Sequence, residues 1–101
     1  MNMNPFDILK NAKAIQEQFS KVQEELAQVS VTGSSGGGIV KVTLNGKFEM
    51  IGVVLDPIAV DPRDVPMLQD LLVAAHADAS ERVKELIKDK LGPMAGGMPS
   101  L

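Results

Sequence analysis

The sequence contains no cysteine, no tryptophan and no tyrosine, and its only aromatic residues are three phenylalanines. Without thiols there is no disulfide framework, no thiolate-bound zinc and no cysteine nucleophile. No apolar run approaches the ~20 residues needed to span a membrane. The opening MNMNPFDILKNAK lacks the cationic start and apolar block of a signal peptide, so a cytoplasmic location is expected. There is one histidine, His76, and no HExxH pattern. With no nucleophile–base pair, metal constellation or cofactor loop, neither catalysis nor a cofactor nor a small-molecule substrate is expected. The formal net charge is −3, so any contact with nucleic acid has to come from local basic clusters and not from the field of the whole chain. The 101 residues suffice for one domain with a small core.

What the sequence does contain is a central stretch that reads as sheet, between two long helical patterns. Val29 and Val31 alternate around Ser30, and Val40-Lys41-Val42-Thr43-Leu44 is apolar at every second position. Asn45-Gly46 predicts a two-residue type I′ turn, and Lys47 to Leu55 returns as a third, antiparallel strand. Alternation would place Phe48, Met50 and Val54 on one side of it and Ile51, Val53 and Leu55 on the other. A strand apolar on both faces needs cover on both. A second copy of the chain would supply it through Phe48, Met50, Ile51, Val53 and Val54; the alternatives are partial exposure or the second helix folding over. Thr32 to Gly38, TGSSGGG, reads as a flexible connection. Its glycines open a strand at Ile39 and no Gly-Lys-Ser/Thr follows, which argues against a phosphate cradle.

Before the sheet, Asn4-Pro5 is a helix start, with Asn as cap and Pro in the first turn. Ile8, Ala12, Ile15, Phe19, Val22 and Leu26 then recur at spacings of 4, 3, 4, 3 and 4, a heptad seam. Such a helix is roughly 33 Å long and outruns a three-stranded sheet. Lysine is favoured in its first turns and glutamate in its last. After the sheet, Asp61 or Asp64 can cap a second helix with Pro66 in its first turn. Its stripe is Leu68, Leu72, Ala75, Ala79, Val83 and Leu86, broadened by Leu71 and Ile87, and its alanine-rich middle suits close packing. Asp56, Asp61 and Asp64 lack the ligand spacing of a calcium loop and read as caps, so no metal site is expected. His76 has no neighbouring ligand or nucleophile and reads as packed or half-exposed. Gly92-Pro93 stops the helix, leaving residues 1–91 as the domain and 92–101 as a flexible tail.

Three blocks, VTGSSGGGIVKVTLNGKFE, VVLDP and LQDLLVAAHADA, resemble the YbaB/EbfC family of nucleoid-associated proteins, in order and over nearly the whole chain. The resemblance implies an α+β fold of order α-β-β-β-α, a three-stranded antiparallel sheet flanked by two long helices. It further implies a tweezer-like symmetric homodimer that binds double-stranded DNA in the bacterial nucleoid, often with little sequence preference, and has no catalytic residues. On that reading Lys10, Lys13 and Lys21 of the first helix and Arg82, Lys84, Lys88 and Lys90 of the second contact phosphate. Lysine suits point-charge contact with phosphate better than the bidentate reading of bases. The competing expectation is a structural or adaptor dimer that binds other proteins through the seam.

Overall fold

The computed structural model describes residues 4–90. The expected helix stop at Gly92-Pro93 and the tail lie outside the described residues. Helix α1 (Pro5–Gln28) starts where Asn4 accepts the Asp7 N–H at 2.9 Å and Pro5 presets the first turn. It ends as Val29 turns extended and leads into strand β1 (Ser30–Ser35). β2 (Val40–Asn45) and β3 (Met50–Leu55) complete an antiparallel meander of order β1-β2-β3. A single 3-10 turn (Pro57–Ala59) then leads to helix α2 (Val65–Lys90). The three aspartates of this link act as caps. Asp56 accepts the Ile58 N–H, Asp61 the Arg63 N–H, and Asp64 the Met67 N–H at the start of α2.

The core lies between the sheet and α2. Val40, Val42 and Leu44 point from β2 toward Ala75, Ala79 and Val83 of α2, with Ala59 beside them. Val31, Ile39, Leu68, Leu71, Leu72 and Ile87 border this cluster. The expected stripe of α2 is thus the face that packs, except that Ile87 and not Leu86 continues it beyond Val83. α2 covers β1 and β2 and scarcely reaches β3, whereas α1 touches β2 only lightly. The molecule is accordingly drawn out to 70 × 22 × 18 Å, with α1 projecting beyond the sheet as its length predicts.

Three details depart from the sequence reading, each for a physical reason. First, β1 runs on through Ser35, so Thr32 to Ser35 are strand and the turn is Gly36 to Ile39, its three glycines at positive φ. Alternation is silent there because Gly33 faces α2 without a side chain, while Thr32 and Ser34 face away. Ser35 Oγ donates to the Leu71 carbonyl at 2.6 Å and the Ser34 N–H to Asp78 at 3.0 Å, which fixes the strand to the helix.

Second, the hairpin is closed by Gly46, Lys47 and Phe48, not by a two-residue turn. The Phe48 N–H returns to the Asn45 carbonyl, and the positive φ falls on Phe48 at 63°. Gly46 is required for proximity: its N–H donates to the Leu26 carbonyl at 2.8 Å, and a Cβ there would lie 2.6 Å from that oxygen. Asn45, only 5% exposed, organises the turn. Its Oδ1 accepts the Lys47 and Glu49 N–H groups and its Nδ2 donates to Glu49. Asn45→Ala should therefore cost about 1–3 kcal/mol, because it strips those groups of a partner; urea denaturation of the two proteins measures this.

Third, β3 carries a bulge opposite Thr43/Leu44, which moves Met50 to the other face. Met50 pairs with Leu44, Val53 with Val42 and Leu55 with Val40, so these three share the side of α2. Val54, opposite Lys41, is on the other side.

Candidate nucleic-acid interface

All seven basic residues singled out from the sequence are exposed and lie on the two helices. Lys10 and Lys13 stand in the projecting part of α1, and Asp7 is the only carboxylate between Asn4 and Gln16. Lys21 lies further along, where the C-terminal end of α2 comes alongside. Lys21, Glu24, Glu25 and Gln28 of α1 share one shallow hollow with Lys90 of α2. A second open groove follows α1 itself, lined by Lys13, Gln16, Glu17, Ser20, Lys21 and Glu24.

The remaining residues differ in how free they are. Arg82 donates to Asp78 at 3.3 Å, one helical turn back. The Ser34 N–H holds the Asp78 carboxyl below its ordinary range, with Arg82 adding to the effect and burial opposing it. Arg82 therefore supports the tie between α2 and β1. Lys84 sits 3.8 Å from Glu81. Among the described residues, Lys10, Lys13, Lys21, Lys88 and Lys90 form no ion pair. Of the seven, these five have charge to spare.

One further cation escaped the sequence reading. Lys41 projects from β2 on the face away from α2, exposed, beside Thr32 and Thr43, whose hydroxyls meet at 2.9 Å. Alternation along β2 pointed to it, since Lys41 and Thr43 are the polar positions between the apolar Val40, Val42 and Leu44.

The residues expected at a dimer contact are uncovered in the single chain. Phe48, Met50, Ile51, Val53 and Val54 of the β2–β3 turn and β3 are 42–63% exposed, and β3 is an edge strand with open backbone groups. The seam of α1 is uncovered as well. Ile8, Ile15 and Phe19 are each more than half exposed, and only Leu26 is buried. His76 is exposed on α2. No group of three His, Cys, Asp or Glu side chains suited to a metal ion comes together among the described residues, and no described helix is long and apolar enough to cross a membrane.

These features define a helix-flanked, three-stranded α+β protein whose free cations stand on two long helices and, at Lys41, on the open face of the sheet, and whose apolar surface is left open along α1 and at the β3 edge. Comparison with known proteins places it more narrowly. Residues 1–98 match the model of the YbaB/EbfC DNA-binding family, and the chain belongs to that family. A nucleoid-associated protein of Mycolicibacterium vanbaalenii is 49% identical over 93% of this chain and 86% of its own length. Another nucleoid-associated protein, from a Roseiflexus species, is 48% identical over 95% of both chains. The crystal structure of an uncharacterized protein from Helicobacter pylori superposes with a TM-score of 0.75 at 25% identity, over 92% of this chain and 98% of that one.

Proposed function

We propose that this protein is a nucleoid-associated protein that binds duplex DNA as a homodimer, holding it mainly by the phosphates and with little sequence preference. Its place is the nucleoid, where it organises DNA and influences gene expression; no catalytic step belongs to the reading. The observation that carries it is the set of five unpaired lysines on two long helices of a chain in a DNA-binding family. Lys10 and Lys13 have the least carboxylate around them, so α1 leads the contact. Lys21, Lys88 and Lys90 extend it, and Arg82 and Lys84 contribute less because Asp78 and Glu81 already hold them.

Phosphate contact releases condensed counterions, so affinity falls steeply with salt, by roughly 0.9 in log–log slope per contact. In fluorescence anisotropy of a labelled duplex, the double variant K10E/K13E should weaken binding to all sequences alike. Each lost lysine should flatten the salt slope by about 1. Unchanged affinity and slope would remove α1 from the interface. Equal competition by scrambled duplex marks the low specificity.

The open apolar seam of α1 favours a second reading, an adaptor dimer that binds other proteins. Pull-down from nuclease-treated lysate separates the two, since partners bridged by DNA vanish and direct ones persist.

A further inference from the structure

The face of the sheet turned away from α2 carries Thr32 and Ser34 from β1, Lys41 and Thr43 from β2, and Gly52 and Val54 from β3. Thr43 and Gly52 are half-buried and the other four are exposed. None of the six is acidic, in a chain of net charge −3. Lys41 is their one charge. Its cross-strand neighbours, Ser34 on one side and Val54 on the other, offer it no carboxylate. Among the described residues it forms no ion pair, so its attraction for an anion is undiminished.

Thr32 and Thr43 face each other one pair further along, their hydroxyls 2.9 Å apart. One hydroxyl donates in that bond and the other keeps its proton free, so the pair still offers a donor. Ser34 adds another hydroxyl beside the lysine. Gly52, opposite Thr43, keeps the face flat. A Cβ there would meet the Thr43 Cβ at 3.9 Å, an ordinary contact, so packing does not call for glycine. A missing side chain within a strand lets another backbone come close. Lysine, serine and threonine are side chains that hold DNA phosphates. None of the six is aromatic, so no unpaired base can stack here, and the backbone of a duplex is the ligand that fits. Carboxylates stand at the β1 rim. Asp78 is bound to the Ser34 N–H and Arg82, while Glu85 and Asp89 share a hollow with Thr32. A phosphate is therefore drawn to the Lys41 side of the face.

We propose that this face is a second contact for duplex DNA, with a backbone phosphate taken by Lys41 and the hydroxyls around it. This rests on the DNA-binding reading of the helices. α2, with Lys84, Lys88 and Lys90, packs on the other side of the sheet, and Lys10 and Lys13 stand where α1 projects beyond it. The two contacts face different ways, so the protein holds one duplex by its helices and a second by its sheet. A single lysine holds DNA weakly. Protein lined up along one duplex presents it many times, and linked contacts strengthen one another.

Capture of a second duplex separates the sheet contact from the helix contact. Beads carrying one duplex are loaded with the full chain at low salt, and a fluorescent duplex of unrelated sequence is added. Anisotropy of a single labelled duplex is measured alongside. The unaltered protein should capture the second duplex. Lys41→Glu should cut that capture at least about fivefold, and by more than it weakens binding to a single duplex. Lys41→Gln should act in the same direction, and Lys41→Arg, which keeps the charge, should capture as before; circular dichroism confirms the fold of each. Undiminished capture by Lys41→Glu, or a loss no greater than its loss of single-duplex affinity, overturns the proposal, since Lys41 then has no contact of its own. So does an unaltered protein that binds one duplex and captures no second. A protein that binds no duplex at all is a failure of the DNA-binding reading, and takes the sheet contact with it.

Discussion

Gly33→Val should abolish cooperative folding. A Cβ at this position would lie 2.2 Å from the Ala79 nitrogen, 2.6 Å from the Ala75 carbonyl oxygen and 2.7 Å from the Ala79 Cα. All three are backbone atoms of α2, so no side-chain rotation relieves the clash. The helix would have to lift from β1, drawing Ala75, Ala79 and Val83 away from Val40, Val42 and Leu44, which form most of the buried core. Overpacking of a core costs about 1–3 kcal/mol when neighbours can adjust, and more when they cannot. A domain this small has a total stability toward the lower part of the ~5–15 kcal/mol range. Gly33→Ala should therefore lose about 3 kcal/mol or more by urea denaturation followed by circular dichroism, with valine worse. Gly37→Ala is the informative contrast. Nothing lies within 4 Å of a Cβ there, so only the positive φ of 75° opposes the change, at about 1–2 kcal/mol. Equal effects at the two positions would mean that close approach of helix and strand is not what Gly33 provides.

Val53→Asp should turn the proposed dimer into folded monomers. Val53 is 42% exposed in the single chain and pairs with Val42 on the side of α2, in a strand that α2 scarcely covers. The monomer therefore tolerates a carboxylate that reaches water. Across an interface formed by β3 the same carboxylate is buried without a partner, at a cost of about 3–5 kcal/mol. That corresponds to at least a hundredfold weaker self-association, since about 1.4 kcal/mol is a factor of ten. Sedimentation velocity over a range of concentrations measures this, with circular dichroism confirming the fold. Because a monomer presents half the lysines, the salt dependence of DNA binding should become roughly half as steep. A dimer that survives Val53→Asp would place the interface elsewhere on the chain.

The fold was legible wherever side chains repeat with the period of their element. The two helices, β2, the hairpin and the packing stripe of α2 all follow from periodicity, and the α-β-β-β-α order follows from them. β1 was legible only at Val31, because a strand that receives a helix backbone on one face and hydroxyls on the other has no apolar alternation to read. The faces of β3 were misread by one bulge, a feature of pairing geometry that leaves no mark in composition. In the candidate interface the cations themselves were visible, but their freedom was not. Arg82 looked like Lys88 until Asp78, four residues earlier, was seen to hold it, and the task of Asp78 at Ser34 spans 44 positions of sequence.

That hydrogen bond from Ser34 to Asp78 has a consequence for how large an assembly can grow. A three-stranded sheet has two edges, and a protein that offers both to its neighbours adds strands without end and becomes a fibre. Here the outer N–H of β1 at Ser34 is already taken by a side chain of α2, on the flank where the helix lies. The β3 edge has no such tie among the described residues. Two copies that met through β3 would turn only β1 edges outward, each with its Ser34 N–H already occupied, which works against further growth.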